Sequence, residues 1–394
     1  MRENILYDRV KNLILAYDFA KPFAIYLKEF FRVNRQMGAR DRRETRDFCF
    51  NYLRIGKNLP QENFINRLAI ASFLCSEKNS TSLDYLISNH SVLSINDIGL
   101  DLDKKIELVK AQFPDFSLDL LFTDHQLLGE QINKEKFERS LLIQPRVWIR
   151  IKKGFQDVVV DELKSLDIPF QNEEINILSF NPTQNLEQLK SFIAGNFEIQ
   201  DINSGKIADF FNPKKDDKWW DMCAASGGKS LCLIDKEPNI YILATDIREN
   251  ILKNYSHRMR KNDFSGYEIQ KIDLTKKSID PGDRFDGIIA DVPCTGSGTW
   301  ARSPEHLLNN HAKNVLQFYQ PLQRKLVENS IVNLRENGQL IYSTCSVFAS
   351  ENEENVAYFL EKLPLKLKEM KTLEGYEMKA DSLFVASFVK ISKK

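Results

Sequence analysis

The chain has 394 residues, of which 42% are hydrophobic, and this length is sufficient for two or three domains with buried cores. Lysine plus arginine and aspartate plus glutamate each number 55, so the net charge is zero and any surface for a polyanion must be local. Six isolated cysteines argue against a zinc ribbon or a disulfide framework, and the lack of any apolar run of about 18 residues predicts a cytoplasmic protein without a membrane span.

Residues 1 to 123 have the apolar periodicity of helices. Apolar side chains recur at three- and four-residue spacing, as at Val10, Ile14, Leu15 and Phe19. Within this part, residues 32–57 hold eight basic and three acidic side chains. The local excess of positive charge suits a phosphate-binding surface, and it suits a solvated helix face of mixed charge equally well. Both interpretations stay open.

Between residues 126 and 200 the pattern changes to short segments of different periods. Residues 146–152 alternate polar and apolar side chains and predict a strand, and residues 157–166 predict a helix. Residues 177–180 form another short apolar run. This order predicts a small α/β module.

From residue 219 onward, short apolar runs alternate with helical stretches. The runs cover residues 219–222, 241–245, 287–290 and 339–343, and the helical stretches include residues 250–261 and 312–335. Strand, helix and strand in this order predict parallel βαβ units in a Rossmann-like, doubly wound sheet, with ligands at the carboxyl ends of the strands. Residues 383–391 predict a closing strand.

A loop of small residues, DMCAASGGKS, occupies residues 221–230 after the first of these strands. Small residues let the backbone approach a ligand closely, and a helix start offers free N–H groups. The last three residues match the end of the phosphate-binding pattern GxxxxGK(S/T), but Cys223 stands where that pattern requires its first glycine. A P-loop nucleotidase is therefore the minor alternative.

Two aspartates follow the next two strands. Asp246 ends its strand about 20 residues after the loop, where a carboxylate can bind the hydroxyls of a ribose. Asp273 stands at the end of the third strand, in position to contact the rim of an adenine. Together with the loop, these two residues indicate an adenosine-type ligand.

Two cysteines lie just past the ends of predicted strands. Cys294 belongs to the segment DVPCTGSG at residues 291–298, and Cys345 belongs to YSTCS at residues 342–346, which is followed by ENEE at residues 351–354. A lone cysteine is usually a small buried hydrophobe. Two cysteines at adjacent strand ends, beside Asp291 and a nucleotide-type loop, instead favour a reactive pair in one cleft.

These motifs resemble those of the Sun (RsmB-like) family of RNA cytosine-5 methyltransferases. Members carry CAAPGGK(T/S), DxPCSGxG and TCS followed by ExE, and this chain matches all three in order and spacing, with Ser226 replacing the usual proline and Thr295 the usual serine. Residues 38–43 and 48–54 resemble the NusB-like helical domain of the bacterial ribosomal members.

The resemblance implies a multidomain fold and a cofactor. We expect an all-α NusB-like RNA-binding domain at residues 1–125, the small α/β module at 126–200, and a Rossmann-like class I methyltransferase domain at 201–394. The implied cofactor is S-adenosyl-L-methionine. The residues expected to bind it are Cys223, Ala224, Ala225, Ser226, Gly227, Gly228, Lys229, Asp246, Asp273 and Asp291.

The resemblance also assigns the chemistry. Cys345 would add to C6 of a cytosine and so make C5 nucleophilic, Cys294 would serve product release, and Asp291 would offset charge on the ring. The expected substrate is a single-stranded or flipped-out cytidine of 16S ribosomal RNA, modified by a monomer without a metal. We expect Trp300 and Arg302 to contact flanking nucleotides, with core packing as the other interpretation of Trp300.

Two other functions stay open. The same reaction on tRNA is an alternative within the enzyme class, because the motifs do not distinguish the two RNAs. An RNA-binding assembly factor without catalysis is the alternative outside it.

Overall fold

The computed structural model describes residues 2–276, 284–308 and 312–392. These residues fold into two compact units, one drawn from Met1–Gln126, Asn133–Gln144 and Thr299–His311, the other from Leu127–Ile132, Pro145–Gly298 and Ala312–Lys394. The division into three domains at residues 125 and 200 stays a prediction. Among the described residues, no helix is both long and apolar enough to cross a membrane.

The first unit is built from helices. They are α1 (Arg2–Leu15), α2 (Phe23–Val33), α3 (Ala39–Arg54), α4 (Phe64–Cys75), α5 (Thr81–His90), α6 (Leu102–Gln112) and α7 (Lys134–Leu141). Polar residues begin several of them, because the first N–H groups of a helix need acceptors. Asn63 accepts from the backbone N–H of Asn66, and Asp101 accepts from that of Lys104, each at 3.0 Å. The predicted helical character of this region is confirmed.

Arg54, the last residue of α3, is buried in this unit. Its side chain is 1% exposed, and its guanidinium donates to the backbone oxygens of Leu141 at 3.0 Å and Ala301 at 2.7 Å, and to the side chain of Gln144. Burial lowers the pKa of Arg54 to about 10. Arg54 therefore joins distant segments of the unit and contributes nothing to a basic surface.

The second unit begins with a four-stranded antiparallel sheet. Its elements are β1 (Val147–Ile151), α8 (Gln156–Ser165), β2 (Gln171–Glu174), β3 (Ile177–Phe180), α9 (Lys190–Ile193) and β4 (Phe197–Ile199), with strand order β2-β3-β1-β4. Val159 and Leu163 of α8 pack against the sheet residues Ile149 and Leu178. The predicted α/β character of this segment is observed.

The larger sheet of the second unit has seven strands. Its elements are α10 (Ile202–Lys206), β5 (Lys218–Asp221), α11 (Gly228–Lys236), β6 (Tyr241–Asp246), α12 (Glu249–Lys261), β7 (Tyr267–Lys271), β8 (Phe285–Asp291), α13 (Ala312–Ile331), β9 (Leu334–Thr344), α14 (Glu353–Lys362), β10 (Leu365–Leu373) and β11 (Leu383–Lys390). The strand order is β10-β11-β9-β8-β5-β6-β7. Strands β5 to β9 are parallel to one another, whereas β11 pairs antiparallel with both β9 and β10.

Helices cover both faces of this sheet. Successive strand residues point to opposite faces, so neighbouring residues pack against different helices. Trp219 packs with Leu231 of α11 and Tyr255 of α12 in one core cluster. The next residue, Trp220, packs with Val327 of α13 in the other. The central strands β5, β6 and β8 are therefore buried on both sides, and this arrangement leaves their carboxyl ends as an accessible edge.

The predicted strands of the carboxyl-terminal part are observed with shifts of a few residues at their ends. The helix predicted over residues 312–335 is wrong at its end, because α13 ends at Ile331 and β9 begins at Leu334. Residues 334–339 read LRENGQ, which lacks the apolar alternation of a strand; Leu334 and Gln339 nevertheless pair with β8, with a register shift between them. No pattern in the sequence predicted β10, whose central residues are exposed and mostly charged.

We expect Arg54→Ala to lower the free energy of unfolding of the helical unit by about 3 kcal/mol, because buried acceptors lose a charged donor. Urea unfolding followed by far-UV circular dichroism would measure it. The control is Arg40→Ala, since Arg40 is an exposed residue of the same helix that pairs with Glu44 at 2.9 Å; its loss should cost about 0.5 kcal/mol or less. Equal losses in the two variants would contradict the role of Arg54.

Candidate functional site

The carboxyl ends of four parallel strands form the edge on which the site is built. Asp221 ends β5, Asp246 ends β6, Asp291 ends β8, and Thr344 ends β9. Here lies a cavity of about 340 Å³. Six predicted site residues line it, namely Cys223, Ala225, Asp246, Asp273, Asp291 and Cys345, together with apolar side chains that include Ile272, Leu274, Leu322 and Leu326. The edge predicted for the ligand is therefore a cavity with mostly apolar walls and a few carboxylates.

The loop after β5 turns sharply between the strand and α11. Ala225 and Gly227 have positive φ angles of 46° and 87°. A side chain at Gly227 would meet Tyr255 and Met259 of α12 at less than 3 Å, so this position requires glycine. Ser226, at the position of the family's proline, is contacted by Arg258, whose guanidinium lies 3.3 Å from Ser226 Oγ. The loop is thus packed closely onto α12.

Asp246 is tied to this loop. One of its carboxylate oxygens accepts from the backbone N–H of Ala225 at 3.1 Å, and the carboxylate also accepts from Arg248 at 2.9–3.0 Å. Burial opposes ionisation of Asp246, but the hydrogen bonds from Arg248 and Ala225 hold its pKa below the usual value. Asp273 is more exposed, and hydrogen bonds from Thr275 and Lys276 lower its pKa. Both carboxylates therefore carry a charge at neutral pH.

Lys229 and Ser230 are directed into the protein. The Lys229 ammonium donates to Ser204 Oγ at 2.7 Å and lies 3.5 Å from Asp291 Oδ2. The Ser230 hydroxyl donates at 2.7 Å to Asp221, whose pKa burial raises to about 7. A P-loop uses this lysine and this hydroxyl for phosphates and magnesium. Since both groups are engaged elsewhere, the geometry disfavours the P-loop alternative.

Asp291 lies between two donors. The Ser343 hydroxyl donates to its Oδ1 at 2.7 Å, and the Lys229 ammonium faces its other oxygen. Burial alone would lower the pKa of Lys229, but Asp291, Cys232 and Cys345 nearby raise it. Lys229 is therefore a buried cation that holds Asp291 at the cavity wall.

Cys294 and Cys345 are in direct contact. Their Sγ atoms lie 3.3 Å apart, and one sulfur donates its proton to the other. This hydrogen bond, together with burial and the negative groups nearby, raises the pKa of Cys294 well above its usual value. The sequence had predicted both cysteines in one cleft. Of the two, Cys345 lines the cavity.

Three residues without an assigned role surround the cysteines. Gln323 of α13 and Glu351, which ends a short helix at Ala349–Glu351, bind the segment that carries Cys294. Asn352 binds the segment that carries Cys345. Glu351 and Asn352 could have been noted in the ENEE motif, whereas Gln323 is identified only by the fold.

The residues of the helical unit that were considered for RNA binding differ in what the structure says of them. Trp300 is 7% exposed and stacks on His306 with ring centroids 5.5 Å apart, so the structure supports its packing interpretation. In residues 32–57, Arg40 and Arg46 pair with neighbouring carboxylates, as on a solvated helix face. The roles of Arg302 and of the basic segment in RNA binding stay predictions.

One group of side chains in this unit has the spacing of metal ligands. Asp119, His125 and Glu138 each place one donor atom within 4.8 Å of the others. Lys134 lies 2.8 Å from Asp119, and His125 lies 2.9 Å from Glu138. Each of the three potential metal ligands therefore already has a side-chain partner. The expected absence of a metal stays a prediction.

A large part of the second unit is similar to known proteins. A family model described as "16S rRNA methyltransferase RsmB/F" matches residues 208–388. The ribosomal RNA small subunit methyltransferase B of Xylella fastidiosa is 26% identical over 255 residues, which is 64% of this chain and 59% of that protein. The chain thus spans little more than half the length of the curated relatives it matches.

Two solved structures share the fold. The protein PH0851 has a TM-score of 0.72 at 20% identity and covers 98% of both chains. NSun6 from Pyrococcus horikoshii, solved with SFG, has a TM-score of 0.59 at 18% identity over 70% of this chain and 97% of its own. The predicted combination of a helical amino-terminal region and a Rossmann-like carboxyl-terminal sheet is confirmed, whereas the NusB-like character of the helices stays a prediction. Residues 208–388 therefore match the model of the RsmB/F (Sun) methyltransferase family, whose motifs the chain also resembles.

Proposed function

We propose that this protein is an S-adenosylmethionine-dependent RNA cytosine-5 methyltransferase that modifies small-subunit ribosomal RNA through a bond between Cys345 and C6 of the base. The observation that carries the proposal is the pair of cysteine sulfurs, 3.3 Å apart, at a cavity that also contains Asp291. The family match and the name of the Xylella relative support RNA methyl transfer and a ribosomal substrate.

The cavity fits the cofactor. Its volume of about 340 Å³ lies in the range of small-molecule sites, about 300–1,000 Å³. Asp246 offers a buried carboxylate for the ribose hydroxyls, and the loop from Cys223 to Lys229 brings backbone close to the same space. Apolar side chains such as Ile272 and Leu326 suit the adenine. When bound, S-adenosylmethionine supplies a methyl group activated by its sulfonium.

The first step is the addition of Cys345 to the base. Its thiolate forms a bond to C6, and the electron pair of the C5–C6 double bond moves so that C5 becomes nucleophilic. The negative charge that develops on the ring requires a proton or a hydrogen-bond donor nearby. We assign this task to the Lys229–Asp291 pair: the Lys229 ammonium lies 3.5 Å from the Asp291 carboxylate and would pass a proton through it to N3 of the base.

The second step is release of the methylated base. The C5 proton leaves to a base or to water, the C5–C6 double bond forms again, and the electron pair of the C6–S bond returns to Cys345. Because its pKa is raised, Cys294 keeps its proton and faces Cys345 Sγ at 3.3 Å. It is therefore placed to donate to the departing thiolate, which is a role in product release.

The substrate base must be unstacked, because a thiolate cannot reach C6 within a helix. Single-stranded or flipped-out cytidines satisfy this requirement. We assign backbone contacts to the basic residues 32–57 of the NusB-like domain; among these, Arg54 is excluded because it is buried. The tRNA alternative predicts the same site and differs only in the RNA bound.

The two cysteine roles predict opposite outcomes in a trapping experiment. In cells, Cys294→Ala should accumulate a covalent protein–RNA adduct on denaturing gels, because addition proceeds and release does not. Cys345→Ala should give no adduct and no methylation. Sequencing of the trapped RNA would identify the substrate.

The control for trapping is Cys75→Ala, which removes a cysteine of α4 in the helical unit and should behave as the wild type. An adduct with Cys345→Ala would reverse the two roles. Methylation by the wild type without an adduct in either variant would contradict the covalent mechanism. If no variant methylates RNA, the RNA-binding factor becomes the better explanation.

Cofactor binding gives a separate prediction. Asp246→Asn should weaken S-adenosylmethionine binding about tenfold, because one charged hydrogen-bond acceptor is worth about 1.5–3 kcal/mol. Isothermal titration calorimetry would measure it. Asp209→Asn, at an exposed residue near the opposite ends of the strands, should bind as the wild type does.

Arg248→Ala separates the carboxylate from its present partner. This variant keeps Asp246 and removes the guanidinium that now binds it, so affinity for S-adenosylmethionine should be at least that of the wild type. Weaker binding in Arg248→Ala than in Asp246→Asn would contradict the assignment. Binding of magnesium-ATP in place of S-adenosylmethionine would restore the P-loop alternative.

A further inference from the structure

Two consecutive residues, Glu351 and Asn352, connect β9 to α14 and bind different cysteine segments. Both are buried, with 0% and 2% of their surface exposed. Buried polar groups are costly unless their hydrogen bonds are made, so their partners are a structural requirement. The partners of each residue flank one of the two cysteines in the chain.

Glu351 holds the segment around Cys294. Its carboxylate accepts from the backbone N–H of Thr295 at 2.9 Å and from the Thr295 hydroxyl at 2.5 Å. Gln323 donates through one side-chain nitrogen to Glu351 and to the backbone oxygen of Pro293, each at 2.9 Å. The residues before and after Cys294 are thus both fixed by one buried carboxylate and the amide that binds it.

Asn352 holds the segment around Cys345 in the same way. The Thr344 hydroxyl donates to Asn352 Oδ1 at 2.6 Å, and Asn352 Nδ2 donates to the backbone oxygen of Ser346 at 2.9 Å. The residues before and after Cys345 are therefore both bound by a single amide.

The backbone of Glu351 is itself held in place by a residue of β9. The Tyr342 hydroxyl donates to the backbone oxygen of Glu351 at 2.6 Å, and Tyr342 is fully buried. Neighbouring backbone atoms cannot move independently, so the segment that binds Glu351 and the segment that binds Asn352 keep a constant separation. The distance between the two sulfurs depends on that separation.

We propose that Glu351 and Asn352 are positioning residues for the two cysteines: Glu351 places Cys294 for release, and Asn352 places Cys345 for attack. This inference rests on the proposed function for the roles of the cysteines, but the placement itself is independent of RNA. It goes beyond the assignment of the cysteines because it predicts that two adjacent residues affect different steps.

Isosteric variants test the proposal in the trapping experiment. In Glu351→Gln, an amide nitrogen takes the place of one acceptor and faces donors of Thr295 or Gln323, so we expect accumulation of the RNA adduct, as in Cys294→Ala. In Asn352→Asp, a carboxylate oxygen faces the backbone oxygen of Ser346, so adduct formation and methylation should fall about tenfold. Both changes preserve side-chain volume.

The matched control is Glu354→Gln, three residues further along. Its carboxylate binds Gln320 at 3.0 Å, a contact with neither cysteine segment. Its rates of methylation and adduct release should equal those of the wild type. S-adenosylmethionine affinity should be unchanged in all three variants, which separates positioning from general damage to the fold.

Oxidation by diamide measures the placement without RNA. Two thiols lose two electrons and two protons to the azo group of diamide, which becomes a hydrazine, and the sulfurs join in a disulfide. Peptide mapping should find a Cys294–Cys345 disulfide in the wild type. In Glu351→Gln and Asn352→Asp, it should form about tenfold more slowly, because small displacements strongly affect the reaction of adjacent groups.

RNA-adduct trapping and diamide oxidation together distinguish failure of this inference from failure of the proposed function. If wild type and Cys294→Ala form no adduct, the proposed function fails, and the oxidation rates alone decide the placement. If both variants oxidise as fast as the wild type, the positioning role is overturned. An adduct that accumulates with Asn352→Asp and not with Glu351→Gln would overturn the assignment of steps.

Discussion

The site depends on a close approach of backbone to backbone around Gly298. Its N–H donates to the backbone oxygen of Cys345 at 2.9 Å, and its carbonyl accepts from Ser382 at 3.0 Å. A side chain at this position would lie 1.9 Å from the oxygen of Ser382, so no residue other than glycine fits. The first hydrogen bond joins the segment after β8 to the end of β9, and the second joins it to the residue that precedes β11. The contact between the two sulfurs requires this approach.

Burial of charge determines the electrostatics of the same edge. The carboxylates of Asp221, Asp246 and Asp291 end three parallel strands, and like charges in a low-dielectric region repel one another. The protein offsets this in three ways: burial raises the pKa of Asp221 to about 7, Arg248 pairs with Asp246, and Lys229 faces Asp291. Lys229 is thus a structural requirement of the site, because its removal would leave two neighbouring acidic groups without a cation.

Sequence motifs and apolar periodicity predicted some strands and site residues of this protein and missed others. Strands such as β3 and β6 follow from short apolar runs, and the common edge of Asp246, Asp291 and Cys345 follows from the rule that parallel strands present their carboxyl ends together. The pairing of β10, whose exposed side chains are charged, depends on a neighbouring strand and has no local signal. The sequence likewise gives no signal for Gln323, since only the tertiary structure brings its buried amide to Pro293 and Glu351.

The sulfur pair is asymmetric, and the asymmetry follows from what surrounds it. Two thiols in contact cannot both ionise, because two negative charges at 3.3 Å repel strongly in a buried site. The hydrogen bond to Cys345, burial and the charge of Glu351 all raise the pKa of Cys294, so that sulfur keeps its proton. Cys345 is the sulfur that lines the cavity. Glu351, which holds the Cys294 segment in place, thus also contributes to the raised pKa of Cys294. Under the proposed function, Cys345 is the sulfur that faces the base.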